Sequence, residues 1–396
     1  MSTPELLHSE VEPDLLYSEA EEDLRAAVRS LLDHHCSPSA VLAVAESGRP
    51  YDEGLWRTLA ATGVAGLLVP EELGGQGATA RETAVVLEEL GRAAAPVPFL
   101  TSAVLAAEAL LGCDTAQPAV RAALAALAAG ESVVALAVPL SAGPEAGPGA
   151  TSDAGPDTAP DAGPPTTVTA DGDGTLRGRV TGVAGAAGAD VLLVPADDGL
   201  YAVDAAADGV QITAVTSLDL TRPIAAVTFE RAAGRRLADA GRARSAVGRA
   251  MLAGAGLLAS EQLGIAEWCL TETVRHTIQR TQFGRPVGSF QALKHRMAAL
   301  WLELVTARAA ARHAADALAT GSDAPVAVSV AQSYAAQVAV HAAQECVQLH
   351  GGIGMTWEHP AHLYLKRAKS AEIALGTPGR HRARLAGLVG LPAPTS

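Results

Sequence analysis

Arg280, Gln282 and Phe283 stand where one helical stretch ends and another begins, in RTQFGRPVGSFQALKHRM, residues 280–297. A guanidinium at a helix junction can grip pyrophosphate oxygens through paired hydrogen bonds. The same arginine could instead pair with a carboxylate between helices. A second stretch, QECVQLHGGIGMTWEHP at 344–360, places Gln348 before Gly351 and Gly352. Paired glycines let backbone N–H groups approach a phosphate or ribose. A plain helix C-cap would use the same two glycines.

Other chemistries lack their residues. There is no GxSxG nucleophile motif, and histidines such as His341 and His350 form no ligand cluster in sequence, so no metal site is expected. His295 reads as a polar helix neighbour. Cys36, Cys113, Cys269 and Cys346 lie far apart, without a CxxC pair, and are expected as buried thiols. The formal charge of −14, from 29 Lys and Arg against 43 Asp and Glu, argues against a nucleic-acid partner. The opening MSTPELLHSEVEPD has neither a basic nor an apolar leader region, and no run resembles a membrane span. A cytoplasmic location is expected.

The 396 residues, 49% apolar and only 3% aromatic, favour Ala/Leu helices distributed over two or three domains. Residues 1–130 read as helical. Ser18 with Glu21, and Thr79 with Glu82, are capping boxes that open amphipathic runs. Leu73-Gly74-Gly75 reads as a turn. Residues 131–235 change period: Val133–Val138, Val191–Val194 and TAVTSLDLTRPIAAVTF are strand-like. Within them, the Gly/Pro-rich stretch 141–165 is expected as a mobile loop. Residues 242–396 return to helix. Leu293, Met297, Leu300 and Leu304 make a core stripe, Pro325 opens a helix that runs to Gly351, and Pro360 opens a short one ending near Gly376. The expectation is an α+β multidomain chain: a helical domain, a small middle β-domain and a four-helix bundle.

Taken together, these segments resemble the acyl-CoA dehydrogenases across nearly the whole chain. VPEELGG at 69–75 and EELGR at 88–92 are similar to the family's N-terminal domain. The resemblance implies FAD as cofactor. It assigns Arg280, Gln282 and Phe283 to the adenosine-diphosphate half, with Phe283 facing the adenine, and marks Gln291 as a further contact. Gln348, Gly351 and Gly352 would approach the FAD of a neighbouring subunit, and Thr377 would lie near the FAD. It also implies an acyl-CoA substrate, an electron-accepting flavoprotein, and a dimer or tetramer with itself or a related subunit.

Two departures stand out. In HLYLKRAKSAEIALGTPGRHR, residues 362–382, the family carries its proton-abstracting Glu immediately before Gly-Thr, and here that residue is Leu375. Leucine cannot accept a proton. The family's alternative place for the base falls near Gly254, again without a carboxylate. Glu261, Glu267 and Glu372 are the candidate replacements, so the catalytic base is not assigned. The Leu375 backbone N–H is expected to remain available to polarise a thioester carbonyl. The second departure is ALAVPLSAGPEAGPG, 135–149, which has no copy of the family's flavin-ring motif. The leading expectation is one subunit of a heteromeric acyl-CoA dehydrogenase catalysing FAD-dependent α,β-dehydrogenation. The alternatives are a homomeric flavoenzyme with a relocated base, or a non-catalytic acyl-CoA-binding or scaffold subunit.

Overall fold

The structure, a computed structural model, describes residues 15–144 and 167–392. All but the first four residues of the expected 141–165 loop lie outside them. The N-terminal helices are α1 (Glu19–His35), α2 (Pro38–Glu46), α3 (Glu53–Ala61), α4 (Ala80–Arg92), α5 (Ala107–Leu111) and α6 (Pro118–Ala128). A wide π-helical segment, Phe99–Ala106, leads directly into α5. Both capping boxes form. The Ser18 side chain accepts from the Glu21 N–H and the Glu21 carboxylate accepts from the Ser18 N–H, and Thr79 and Glu82 do the same for α4.

The middle domain holds β1 (Val134–Leu136), β2 (Val168–Ala170), β3 (Thr175–Ala184), β4 (Val191–Pro195), β5 (Gly199–Asp204), β6 (Val210–Ala214), β7 (Ile224–Ala233) and β8 (Arg235–Asp239). They form two four-stranded sheets, ordered β1-β4-β5-β8 and β2-β3-β7-β6. The two valine-rich runs pair with each other in parallel, Val134 opposite Val191. Leu176, Val183, Leu192, Val194, Tyr201 and Phe229 belong to the core of this domain.

The C-terminal domain is built on α7 (Ala240–Gln279), 40 residues long. A short hairpin, β9 (Thr281–Gln282) and β10 (Arg285–Pro286), turns the chain into α8 (Gln291–Thr320) and then α9 (Ala324–His350). α10 (Ala361–Ile373) and α11 (Pro378–Leu388) together take the fourth place. In the expected stripe, Leu300 and Leu304 are buried, whereas Leu293 and Met297 are half-buried.

Glycine lets α4 and α7 touch backbone to backbone. A Cβ on Gly91 would stand 2.1 Å from the Glu261 carbonyl oxygen, and one on Gly264 would stand 1.9 Å from that of Glu88. α10 runs back along α7. Tyr364 stacks on Trp268 with ring centroids 3.6 Å apart, and Gln262 Nε2 donates to the Ala371 carbonyl at 3.0 Å. This antiparallel course fixes where the two halves of the expected site fall.

Candidate functional site

At one end of the bundle the β9–β10 hairpin sits beside the last turns of α7 and α9. The Arg285–Gln282 pair encloses a two-residue turn, Phe283-Gly284. Both turn residues have positive φ, 53° and 74°, as a type I′ hairpin requires. Phenylalanine is a strained choice there, at a cost of order 1–3 kcal/mol. Its ring is 90% exposed and makes an edge contact with Phe290, over which Arg285 lies at 3.9 Å. Arg280 caps α7, is exposed, and pairs with no carboxylate among the described residues. The interhelical ion pair is therefore not its role in this chain.

Gln282, Gln291, Gln348, Gly351 and Gly352 are exposed at the same end. The His276 and His350 rings, 4.2 Å apart, bring the α7 and α9 termini together. Gly351 has φ +62° and ψ −137°, a conformation suited to glycine. Nothing lies within 4 Å of a Cβ built on Gly351 or Gly352. At Gly352, where φ is ordinary, the protomer itself does not require glycine.

The Leu375 position lies elsewhere. A Cβ on Gly254 would stand 3.1 Å from Leu375 Cδ1 and 2.4 Å from Leu105 Cδ2. The family's two alternative base positions thus face each other, and leucine side chains fill the space between them. From Gly254 to Arg280 the chain rises along 26 residues of α7, about 39 Å. Thr377 sits beside Leu375 rather than with the clamp, and its hydroxyl caps α11 by accepting from the Arg380 N–H at 3.3 Å.

Leu375 is fully buried, with φ +54°. Its N–H donates to the Leu140 carbonyl at 2.7 Å, while Leu140 N–H donates to the Gly182 carbonyl at 2.8 Å. The expected free amide is therefore already committed within the fold, as a strut to the β-domain. His381 Nε2 donates to the Leu375 carbonyl at 2.9 Å. Burial pushes the His381 imidazole down to about 4, against the opposing effect of that bond. A Cβ on Gly143 would stand 3.4 Å from Gly376 Cα, so residues 140–143 lie directly on the Leu375–Gly376 turn. Gly376 itself, at φ +100°, leaves room for His381, and the fold alone accounts for it.

None of the three replacement carboxylates fits the role of base. Glu261 is fully buried, accepting from Arg222 and, at 3.0 Å, from Arg367 Nε. Burial would raise its pKa, but the two guanidinium groups overcome this and hold it well below the usual range. Glu267 accepts from Arg308 at 2.8 Å and lies 3.7 Å from Arg25. Glu372 accepts from Lys369 at 3.0 Å. Sequence alone could not show the Glu261 partners, because Arg222 and Arg367 come from distant segments. All four cysteines are buried and unbridged.

The chain matches the model of the acyl-CoA dehydrogenase N-terminal domain over residues 18–131 and that of the C-terminal domain over residues 243–389. It belongs to the acyl-CoA dehydrogenase family, FAD-dependent oxidoreductases acting on the CH–CH bond of acyl-CoA thioesters. Among its relatives, it is 35% identical over 371 residues to the acyl-CoA dehydrogenase IpdE2 of Mycolicibacterium smegmatis, covering 91% of this chain and 96% of that one. Among solved structures it resembles the ChsE4–ChsE5 complex from Mycobacterium tuberculosis, with TM-score 0.81 and 28% identity over 96% of this chain and 100% of that one. It also resembles a Tcur3481–Tcur3483 steroid ACAD variant, with TM-score 0.80 and 30% identity over 94% and 98%. No helix among the described residues is long and apolar enough to cross a membrane.

FAD is the family's cofactor, and its two halves fare differently here. The exposed Arg280 guanidinium, the exposed Phe283 ring and the glycines at 351 and 352 lie at one end of the bundle, a residue set that suits the adenine side. Around Leu375, where the family carries its base, Leu140 and Gly143 pack against the turn.

Proposed function

We propose that this chain is one subunit of a heteromeric acyl-CoA dehydrogenase. It contributes the adenine-side clamp of Arg280, Gln282, Phe283, Gln291, Gln348, Gly351 and Gly352 to FAD held mainly by a related partner. The partner supplies the carboxylate base and the ring-binding middle domain. FAD bound there would supply the acceptor for the substrate's β-hydride while the partner's carboxylate would take the α-proton, and an electron-accepting flavoprotein would be the oxidant of the reduced flavin.

One observation carries this reading: the catalytic position is sealed by the protomer's own backbone. Leu375 N–H is bonded to Leu140, and leucines occupy the place opposite Gly254. The two-protein composition of the ChsE4–ChsE5 and Tcur3481–Tcur3483 structures supports the same reading. The steroid designation of one of them makes a steroid-derived acyl-CoA the first substrate to test.

The test is expression alone and together with a related acyl-CoA dehydrogenase encoded beside it. Alone, the chain is expected colourless and inactive; together, the pair is expected yellow, and its flavin bleaches on adding acyl-CoA. Full activity of the single chain refutes the proposal. Within the pair, Arg280→Ala should lower the retained FAD at least tenfold, a loss of the size expected from one charge-assisted bond to phosphate. Its effect on folding stability should stay within about 0.5 kcal/mol, because the side chain is exposed and unpaired.

A further inference from the structure

We propose that Glu272, His350 and His359 form a binding site for one divalent transition cation of the zinc class, fastening the end of α7 to the α9–α10 connection. This does not rest on the flavin reading. Glu272 on α7 is distant in sequence from the two histidines, which flank the α9–α10 connection nine residues apart, and the ligand atoms of the three lie within 4.8 Å of one another. Glu272 Oε1 is 3.9 Å from His350 Nε2 and 3.6 Å from His359 Nε2. A four-coordinate zinc with bonds of about 2.0–2.2 Å holds its ligand atoms roughly 3.3–3.5 Å apart. Side-chain movements, including a turn of the His359 ring, separate the two geometries. Two imidazoles and one carboxylate suit zinc and its neighbours better than calcium or magnesium.

The buried imidazole points most directly to a cation. The His350 side chain is 0% exposed, and its Nδ1–H donates to the Cys346 carbonyl at 2.6 Å, with Cys346 Sγ a further 3.7 Å contact. In the neutral ring that bond fixes the tautomer and leaves Nε2 with its lone pair. Among the described residues this Nε2 has no hydrogen-bond partner. A buried nitrogen left unmet in this way calls for an explanation, and a cation provides one. Glu272 is oriented in a compatible way. Arg275 Nε donates to its Oε2 at 2.9 Å, the outer bond that steadies a carboxylate ligand. Arg275 Nη2 also reaches Oε1, and cation entry displaces that one bond.

His359 is the adaptable ligand. Its Nδ1 accepts from the Ala361 N–H at 3.2 Å, so Nε2 coordination requires the other tautomer and a turn of the ring. The His276 ring packs against His350, centroids 4.2 Å apart. The site adjoins both clamp segments, because Glu272 is on the α7 turn before His276 and Arg280, and His350 precedes Gly351. An occupied site would hold the two segments in register.

The test uses the full chain, stripped with a chelator and titrated with zinc(II) alone by calorimetry, with metal analysis after dialysis. One zinc per chain is expected, with a thermal midpoint that rises with zinc concentration. Cobalt(II) should give the visible bands of a four-coordinate nitrogen–oxygen site. His359→Gln and Glu272→Gln should each weaken zinc at least about tenfold, as loss of a direct ligand requires. His359→Gln lies on a connecting segment, and its zinc-free melting should match that of the parent chain. Absence of stoichiometric zinc overturns the proposal, as does zinc held equally well by both variants.

Discussion

The Leu375 backbone directs its N–H at Leu140 and its carbonyl at His381, and these two bonds limit what substitution can restore. Leu375→Glu replaces a fully buried side chain with a carboxylate that faces Leu105 and Gly254. An unpaired buried charge should destabilise the chain by several kcal/mol in urea unfolding. No acyl-CoA oxidation by the single chain is expected, since the amide stays engaged. Activity in that variant alone would show the seal to be weaker than the bonding suggests. His381 gives the same turn a pH dependence. Its folded pKa of about 4 lies below its ordinary 6.5, so the unfolded chain takes the proton first. Its contribution is complete above about 6.5 and is lost as pH falls towards 4, a change of roughly 3 kcal/mol. His381→Asn keeps an N–H donor and removes the titration. Unfolding free energies measured between pH 7 and 4.5 should fall less steeply in this variant than in the parent.

Among the elements, α7 carries the most consequences. Glu261 joins it to Arg367 on α10 and to Arg222 before β7, and Arg367 Nη1 reaches Thr221 Oγ1 at 2.7 Å, so one buried cluster ties the middle domain to the bundle. Arg367 Nη1 also donates to the Ala95 carbonyl at 3.3 Å, which brings in the N-terminal domain. Glu261→Gln leaves two buried guanidinium groups short of a counter-charge and should cost about 3–5 kcal/mol of stability. A general base would behave oppositely, with folding intact and about 10²–10⁴ of rate lost. Denaturation of the variant separates the two roles. Much of the helical framework could be read from sequence because its signals are local: Ser18 with Glu21, Thr79 with Glu82, and Pro325 with Gly351 each act within one helix. The junction from Arg280 to Gln291, a helix end, a tight turn and a new helix, could be read for the same reason, since it is one continuous segment. The seal could not, because it depends on Leu140 meeting Leu375 from a distant part of the chain. The Glu272–His350–His359 cluster stayed hidden because α7 and α9 end side by side only in three dimensions.

For the whole molecule, roughly 39 Å of α7 runs from Gly254, which Leu375 packs against, to Arg280, so the proposed clamp and the Leu375 turn lie far apart along the bundle. The proposed pair would bring another chain to the Arg280 end, and the bundle carries exposed apolar side chains that could meet one. Trp301, Leu302 and Val305 on α8 are 58%, 63% and 36% exposed, and Trp357 and Met355 beyond α9 are 60% and 78% exposed. If the proposed pair forms, exposed apolar side chains of this kind are where it would bury area. Leu302→Asp should leave the monomer's melting within about 0.5 kcal/mol of the parent. It should shift the sedimentation of the co-expressed pair towards separate chains, and unchanged sedimentation would remove α8 from the interface. Flavin counting then tests the division of labour. If this chain's ring side is closed and its clamp serves a partner, the active pair holds one FAD for every two chains. Flavin absorbance set against amino-acid analysis measures that ratio directly. One FAD per chain would mean that Leu140 and Leu375 part on assembly, and the sealed-site account would fall with them.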